Sequence, residues 1–171
     1  MRFQDISELS KYYTRLVEHG VDSSHLDKNG RSALFMAVRS GNLAYIKFLV
    51  DEMEFDPTIK DILGATPVNH LLKGGRLLKA SVMILKYLVS KSVDLNSLYH
   101  EKDYKGIKGD YKTTSLIHCI RNESENRDHI KDILKVLLQG KRVDPSMQDS
   151  DGRDAFMYIA IRNHANTFNF I

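Results

Sequence analysis

The chain has 171 residues, 42% of them hydrophobic and 27% charged, enough for a packed core in one globular or elongated domain. Its net charge of +3, from 25 Lys and Arg against 22 Asp and Glu, names no partner, so an electrostatic argument must come from where the charges fall. The single cysteine, Cys119, excludes an internal disulfide framework and a cysteine-only zinc site, and fits a reducing, intracellular setting, cytoplasmic or nuclear. The N-terminal MRFQDISELSKYY lacks the apolar core of a leader, and no window approaches a membrane-spanning run, so a soluble chain without a membrane partner is expected.

Ile6 to Gly20 predicts the first helix, with Ser7 as cap, Leu9, Tyr13, Leu16 and Val17 as its inward stripe, and Gly20 as its end. Asp27 and Gly30 then form a turn signal ahead of a short helix carrying Leu34, Ala37 and Val38. Ser40-Gly41-Asn42 stops it, and Asn42 caps a second helix whose stripe is Tyr45, Ile46, Leu49 and Val50. Turn, helix, turn, helix is the unit, and Asp27 to Lys60 is its fullest copy. The opening segment reads as half of one, a second helix without its first.

Further copies follow from Gly64-Ala65-Thr66-Pro67-Val68, from Thr114-Ser115-Leu116-Ile117-His118-Cys119, and from Asp149-Ser150-Asp151-Gly152 to a partial end. Spacing supports this register. Asp22 to Leu34, Asp56 to Val68 and Asp144 to Phe156 are each 12 residues, whereas Asp94 to Leu116 is 22. The expected segments are 1–26 (a half unit), 27–60, 61–98, 99–148 with an insertion at 99–113, and 149–171 (partial). Extra residues in helix-to-helix turns fall on the surface, where stacking need not change. Phe168, Phe170 and Ile171 lie where a last outer helix should bury its stripe with no polar cap after it, so a piece of a longer protein is expected.

These residues resemble the ankyrin repeat family, whose T-P-L-H-x-A motif opens the first helix of each repeat. Thr66-Pro67-Val68-Asn69-His70-Leu71 and Ser32-Ala33-Leu34-Phe35-Met36-Ala37 each match at three sites, Thr114 to Cys119 at the Thr, the Leu and a small residue, and Asp154 to Ile159 is degenerate. The resemblance implies an all-α solenoid of paired antiparallel helices with β-hairpin-like turns, of about four to five repeats with the first and last incomplete. Small residues at Ala37 and Cys119 would let helices approach closely.

Strings that imitate active sites fall short of the chemistry they suggest. Asp149-Ser150-Asp151-Gly152-Arg153-Asp154 resembles part of a calcium loop, but Tyr158 stands where its bidentate Glu is needed. His118 and Cys119 are helix neighbours pointing about 100° apart, so the imidazole is badly placed to activate the thiol. The seven histidines form no H-x-x-x-H pair, and Lys73-Gly74-Gly75-Arg76 lacks Walker spacing. Asn122-Glu123-Ser124 is a sequon without a secretory signal. No catalytic residue, metal site or cofactor is expected, and the chain is read as non-enzymatic.

The resemblance also implies where binding occurs, on turn tips and the exposed side of the first helices, which form a concave face. The slots carried over are Lys28, Asn29, Arg31, Arg39 and Ser40; Ile62, Leu63, Ala65, Lys73 and Gly74; Arg121 and Asn122; then Ser150, Asp151, Arg153, Ile161 and Arg162. Most of the charged ones are basic, which suits an acidic or phosphorylated partner segment, although a merely solvated face fits equally. Ile62 and Leu63 would add a dry anchor. The alternative partner is nucleic acid, held by the same slots and by insertion 99–113, where Lys102, Lys105, Lys108 and Lys112 alternate with Tyr99, Tyr104 and Tyr111. Asn96, with Leu88 and Asp94 at family spacing, is a candidate for asparaginyl hydroxylation or a plain turn-stabilising residue. A monomer is expected.

Overall fold

The computed structural model describes residues 6–73, 79–101, 111–121, 129–139 and 142–162. Within them the chain is mostly helical: α1 (Ile6–Glu18), α2 (Ala33–Ser40), α3 (Leu43–Lys47), α4 (Pro67–Lys73), α5 (Lys79–Ser90), α6 (Ser115–Arg121), α7 (Ile130–Leu138) and α8 (Ala155–Arg162). One antiparallel ladder, β1 (Tyr99–His100) with β2 (Lys112–Thr113), pairs Tyr99 with Thr113 and closes the ends of the insertion. Residues 102–110, with Tyr104 and three of the four insertion lysines, lie outside the described residues, as do Gly74, Asn122, the sequon and the C-terminal Phe168, Phe170 and Ile171.

The short helices start where their capping chemistry allows. Asp154 Oδ1 accepts from Met157 N at 2.9 Å and Thr114 Oγ1 from Ile117 N at 3.2 Å, each satisfying an N-terminal amide. At α4, Asn69 Oδ1 accepts from Thr66 N at 2.7 Å, while its Nδ2 donates across the stack to Ser115 Oγ at 2.7 Å. Asn42 caps α3 as expected, accepting from Tyr45 N at 3.1 Å. The outer helix α3 runs into a π turn over Phe48–Glu52, and Glu54 takes φ +57°. Leu49 to Asp56 is one residue longer than Leu88 to Asp94, and the π turn absorbs the difference.

Packing proceeds in two rows. The inner helices α2, α4, α6 and α8 touch in that order, the outer α3, α5 and α7 likewise, and α2/α3, α4/α5 and α6/α7 pair within units. Leu34, Val68 and Leu116 occupy equivalent positions at 0%, 0% and 2% exposure, and each such aliphatic side chain contributes about 2 kcal/mol by burial. Ala37 and Cys119 are buried at the close contacts.

The two ends depart from expectation. Phe156, the counterpart of Leu34 in α8, is 71% exposed, and Ala155 and Tyr158 carry the contact instead. Among the described residues the main helix contact of α8 is with α6. In α1, Tyr13 meets Phe48 and Phe55 edge-on at 5.8 and 6.3 Å, but Leu16 and Val17 are 54% and 42% exposed, because no inner helix lies beneath them among the described residues.

Candidate binding face

Three turns are built alike. Asp27, Asp61 and Asp149 each accept two backbone N–H bonds through Oδ1, from the residues two and four positions on, at 2.7 to 3.0 Å. Gly30, Gly64 and Gly152 follow in the left-handed region at φ +73°, +77° and +71°, where a Cβ would be strained. The turns bond to one another: Ile62 N donates to Asn29 O at 2.9 Å, His100 N to Leu63 O at 2.8 Å and Ser150 N to Lys112 O at 3.1 Å.

The second carboxylate oxygen meets the inner helices. Asp61 Oδ2 accepts from His70 Nε2 at 2.9 Å and Arg31 Nε at 3.2 Å, its own side chain fully covered. Asp149 Oδ2 accepts from Tyr158 Oη at 2.6 Å and from the Tyr111 hydroxyl. In the unit whose turn is interrupted by the insertion, Glu101 fills the place, pairing with His118 Nδ1 at 2.8 Å and with Arg121. His70, His118 and Tyr158 stand four residues after Thr66, Thr114 and Asp154, so one helix position supplies each donor. Sequence reasoning passed over these pairs, yet that fixed offset was the available signal.

Charge states follow from these contacts. Burial pulls the Asp61 carboxyl upward, but the His70 bond and the Ala65 and Leu63 amides outweigh it and leave its pKa below the ordinary value. Burial pushes His70 down despite Asp61, so Arg31 is the cation that balances the carboxylate. Asp149 is likewise lowered, burial being outweighed by the two tyrosine hydroxyls and backbone amides, while burial and the Asp149 bond raise Tyr111.

The ten residues expected to bind a partner divide accordingly. Lys28 and Arg39 are exposed, and Ile62 is 63% exposed at its turn tip beside a half-buried Leu63. Asn29 is half-buried, its amide bonded to Asp27. Arg31 is taken up by Asp61, and Arg153 by Asp151 at 3.1 Å. Arg121, expected on the exposed side, is only 2% exposed: its guanidinium stacks 4.8 Å over Tyr111 and pairs with Glu101. Ala65, also expected at the face, is fully buried. Arg162 ends α8, its side chain outside the described residues. The positive groove read from the sequence is thus largely neutralised from within. Tyr99 and Tyr111, expected to be able to stack bases, are buried at 0% and 5%.

Lys73 is different. Half-buried at the end of α4, its ammonium lies 4.3 Å over the Tyr99 ring and donates to His100 O at 3.4 Å. Burial lowers its pKa to about 8; Asp61 opposes the shift, and Arg31 and Arg121 add to it. Asn96 lies away from this face. Its Nδ2 donates to Arg142 O at 2.9 Å and its Oδ1 accepts from Asp144 N at 2.8 Å, tying one unit's closing turn to the next. No group of three metal-ligating side chains occurs among the described residues, and no helix there is long and apolar enough to cross a membrane.

Helix pairs in two rows, joined by Asp-anchored turns that bond to each other, define a repeat scaffold of the helical solenoid class. Residues 14–50 match the family model for ankyrin repeats in many copies. A protein of Acanthamoeba polyphaga mimivirus, bearing the name of an ankyrin repeat protein, is 26% identical over 148 residues, which cover 86% of this chain and 19% of the relative. The match and the relative together support the ankyrin repeat family for this chain. Repeats of this family generally mediate protein–protein interaction and are typically non-enzymatic.

Proposed function

We propose that the chain is a non-catalytic interaction module that docks an acidic, extended partner segment on its concave face, across the turn tips and inner helices of its central units. Lys73 carries this reading. Its ammonium lies over the Tyr99 ring, while the nearby carboxylates Asp61 and Glu101 are already paired with Arg31 and Arg121, so a carboxylate or phosphate from outside would give it a counter-charge. Ile62, exposed on the tip that opens the same unit, supplies an apolar anchor. Arg39 and Lys28 extend the basic track toward the preceding unit. Nucleic acid has less support, since Tyr99 and Tyr111, two of the three tyrosines expected to stack bases, are covered.

The test is calorimetric titration of the chain with glutamate-rich and phosphoserine-containing peptides, against neutral peptides and mixed-sequence RNA. Binding of the acidic peptides that falls about tenfold or more on Lys73→Glu or Arg39→Glu is the expected result. Arg121→Glu is unsuitable, because that side chain is buried. Equal binding of the neutral peptide, or tighter binding of RNA with a steep salt slope, would overturn the reading.

A further inference from the structure

We infer that the valley between the outer helices α5 and α7 is a second interaction surface, and that its occupant is an acidic amphipathic helix of a partner protein. The valley belongs to the outer row, whereas the concave face is built from turn tips and inner helices, so its occupancy is independent of what that face binds. It lies between two internal units, and every residue lining it is among the described ones.

The two helices pack side by side and leave a groove of about 340 Å³. From α5 come Lys79, Val82, Met83 and Lys86, which are positions i, i+3, i+4 and i+7 of one helix face. The α7 wall repeats that spacing from Asp132 to Gln139, with Lys135 and Val136 between them. Met83 is 52% exposed, while the half-buried Val82 and the buried Val136 line the same groove. An apolar floor between lysines, repeated at helical pitch on both walls, is the form of a helix-binding groove.

The preceding valley, between α3 and α5, shows what such lysines meet when the chain itself supplies it. Asp51, from the π turn that continues α3, accepts from Tyr87 Oη at 2.8 Å and from Lys91 Nζ at 2.6 Å. The Lys47 and Lys91 ammoniums lie over the Tyr87 ring, 5.6 and 5.3 Å from its centre. That valley thus holds both an aromatic ring and a carboxylate. In the next one no ring lines the groove, and among the described residues Lys79 and Lys86 meet no carboxylate. Asp132, the one acidic side chain lining it, lies 3.7 Å from His129. The apolar filling and the counter-charge are therefore left to a visitor.

Lys79 and Lys86 stand two helical turns apart, about 10 Å along the axis. A helix laid in the groove brings carboxylates at that same period, with a leucine-sized side chain between them to cover Met83. Nucleic acid fits less well: the lining residues include no arginine fork and no ring on which a base could stack, and an apolar floor does nothing for a phosphate. A membrane also fits less well, because one exposed methionine in a recess offers too little apolar area to insert. Charge and shape together select an acidic helix.

The test is a titration of the chain, methyl-labelled at methionine, with a designed helical peptide whose leucine stripe is flanked by glutamates, read by NMR at Met83 and by calorimetry. The Met83 methyl signal should shift. Affinity should fall about tenfold in the Lys79→Glu, Lys86→Glu double variant and several-fold in the milder Lys79→Gln, Lys86→Gln pair, each with unchanged far-UV circular dichroism. Arg39→Glu, on an inner helix, should leave this binding as it was, which separates it from binding on the concave face. The inference is overturned by a Met83 signal that does not move, by equal binding of the same peptide with glutamine for glutamate, or by affinity that follows Arg39 rather than the two lysines. Tighter binding of mixed-sequence RNA or of anionic phospholipid vesicles at Met83 would overturn it as well.

Discussion

His70 Nε2 stands 2.9 Å from Oδ2 of Asp61, nine residues back in the turn ahead of its own helix, and Arg31 of the previous turn meets the same oxygen. One covered carboxylate thus joins a turn, a helix and the neighbouring unit. Asp149 repeats the arrangement with two tyrosines, and Glu101 does so with His118 and Arg121.

Asp61→Ala should therefore destabilise the chain by about 3 kcal/mol, because it strands two backbone amides and a half-buried guanidinium together. Asp27→Ala removes the same turn bonds from an exposed site with no side-chain donor from another unit, and should cost clearly less. Urea unfolding of both variants measures the difference, and equal losses would mean that the inter-unit contacts add nothing.

The same pair makes stability depend on pH. His70 has a lowered pKa in the fold, so below its unfolded value, about 6.5, the unfolded chain takes up the proton more readily and stability falls with pH. His70→Gln should remove that slope. Asp61 and Asp149, with lowered folded pKa values, add stability above the ordinary carboxylate range that is lost as pH drops below about 4 and through their folded values. Urea midpoints from about pH 8 to about pH 3 would separate the two steps, and a parent and variant with identical slopes near pH 6 would rule out the histidine contribution.

Asn96 uses both ends of its amide between Arg142 O and Asp144 N. Asn96→Ala should cost about 1–2 kcal/mol, and Asn96→Asp, which keeps an acceptor but loses the donor, should fall between. Hydroxylation of the same residue has its own readout: mass spectrometry should find one added oxygen on its peptide after treatment with an asparaginyl hydroxylase. An unchanged peptide leaves only the structural role.

Phe35→Ala should cost about 3–5 kcal/mol, since the ring is fully buried against His70. Phe156→Ala, at the exposed α8 counterpart of Leu34, should change the stability of a dilute sample by no more than about 0.5 kcal/mol. Thermal and urea unfolding at low protein concentration distinguish them. A large loss at Phe156 would mean that the ring is covered in solution.

What was readable in advance depended on short distances along the chain. The Asp and Gly of each turn, the Asn42 cap and the spacing that aligns Leu34, Val68 and Leu116 involve residues a few positions apart, and all three kinds of feature are present. Arg121 was misplaced because its helix slot says nothing of Glu101, twenty residues away across the insertion, or of Tyr111 beneath it. The pairing of Arg31 is hidden from local sequence for the same reason: Asp61 is thirty residues distant.

Local chemistry alone thus determined the helix pairs, their caps and the order in which they follow one another, since propensity, capping and apolar period act within a turn or two. The burial of individual cations, the exposure of Phe156 and the pairing of carboxylates with histidine or tyrosine were decided only when units came together. These depend on which surface a neighbour covers, and in a stack that is set by units beyond the residue's own.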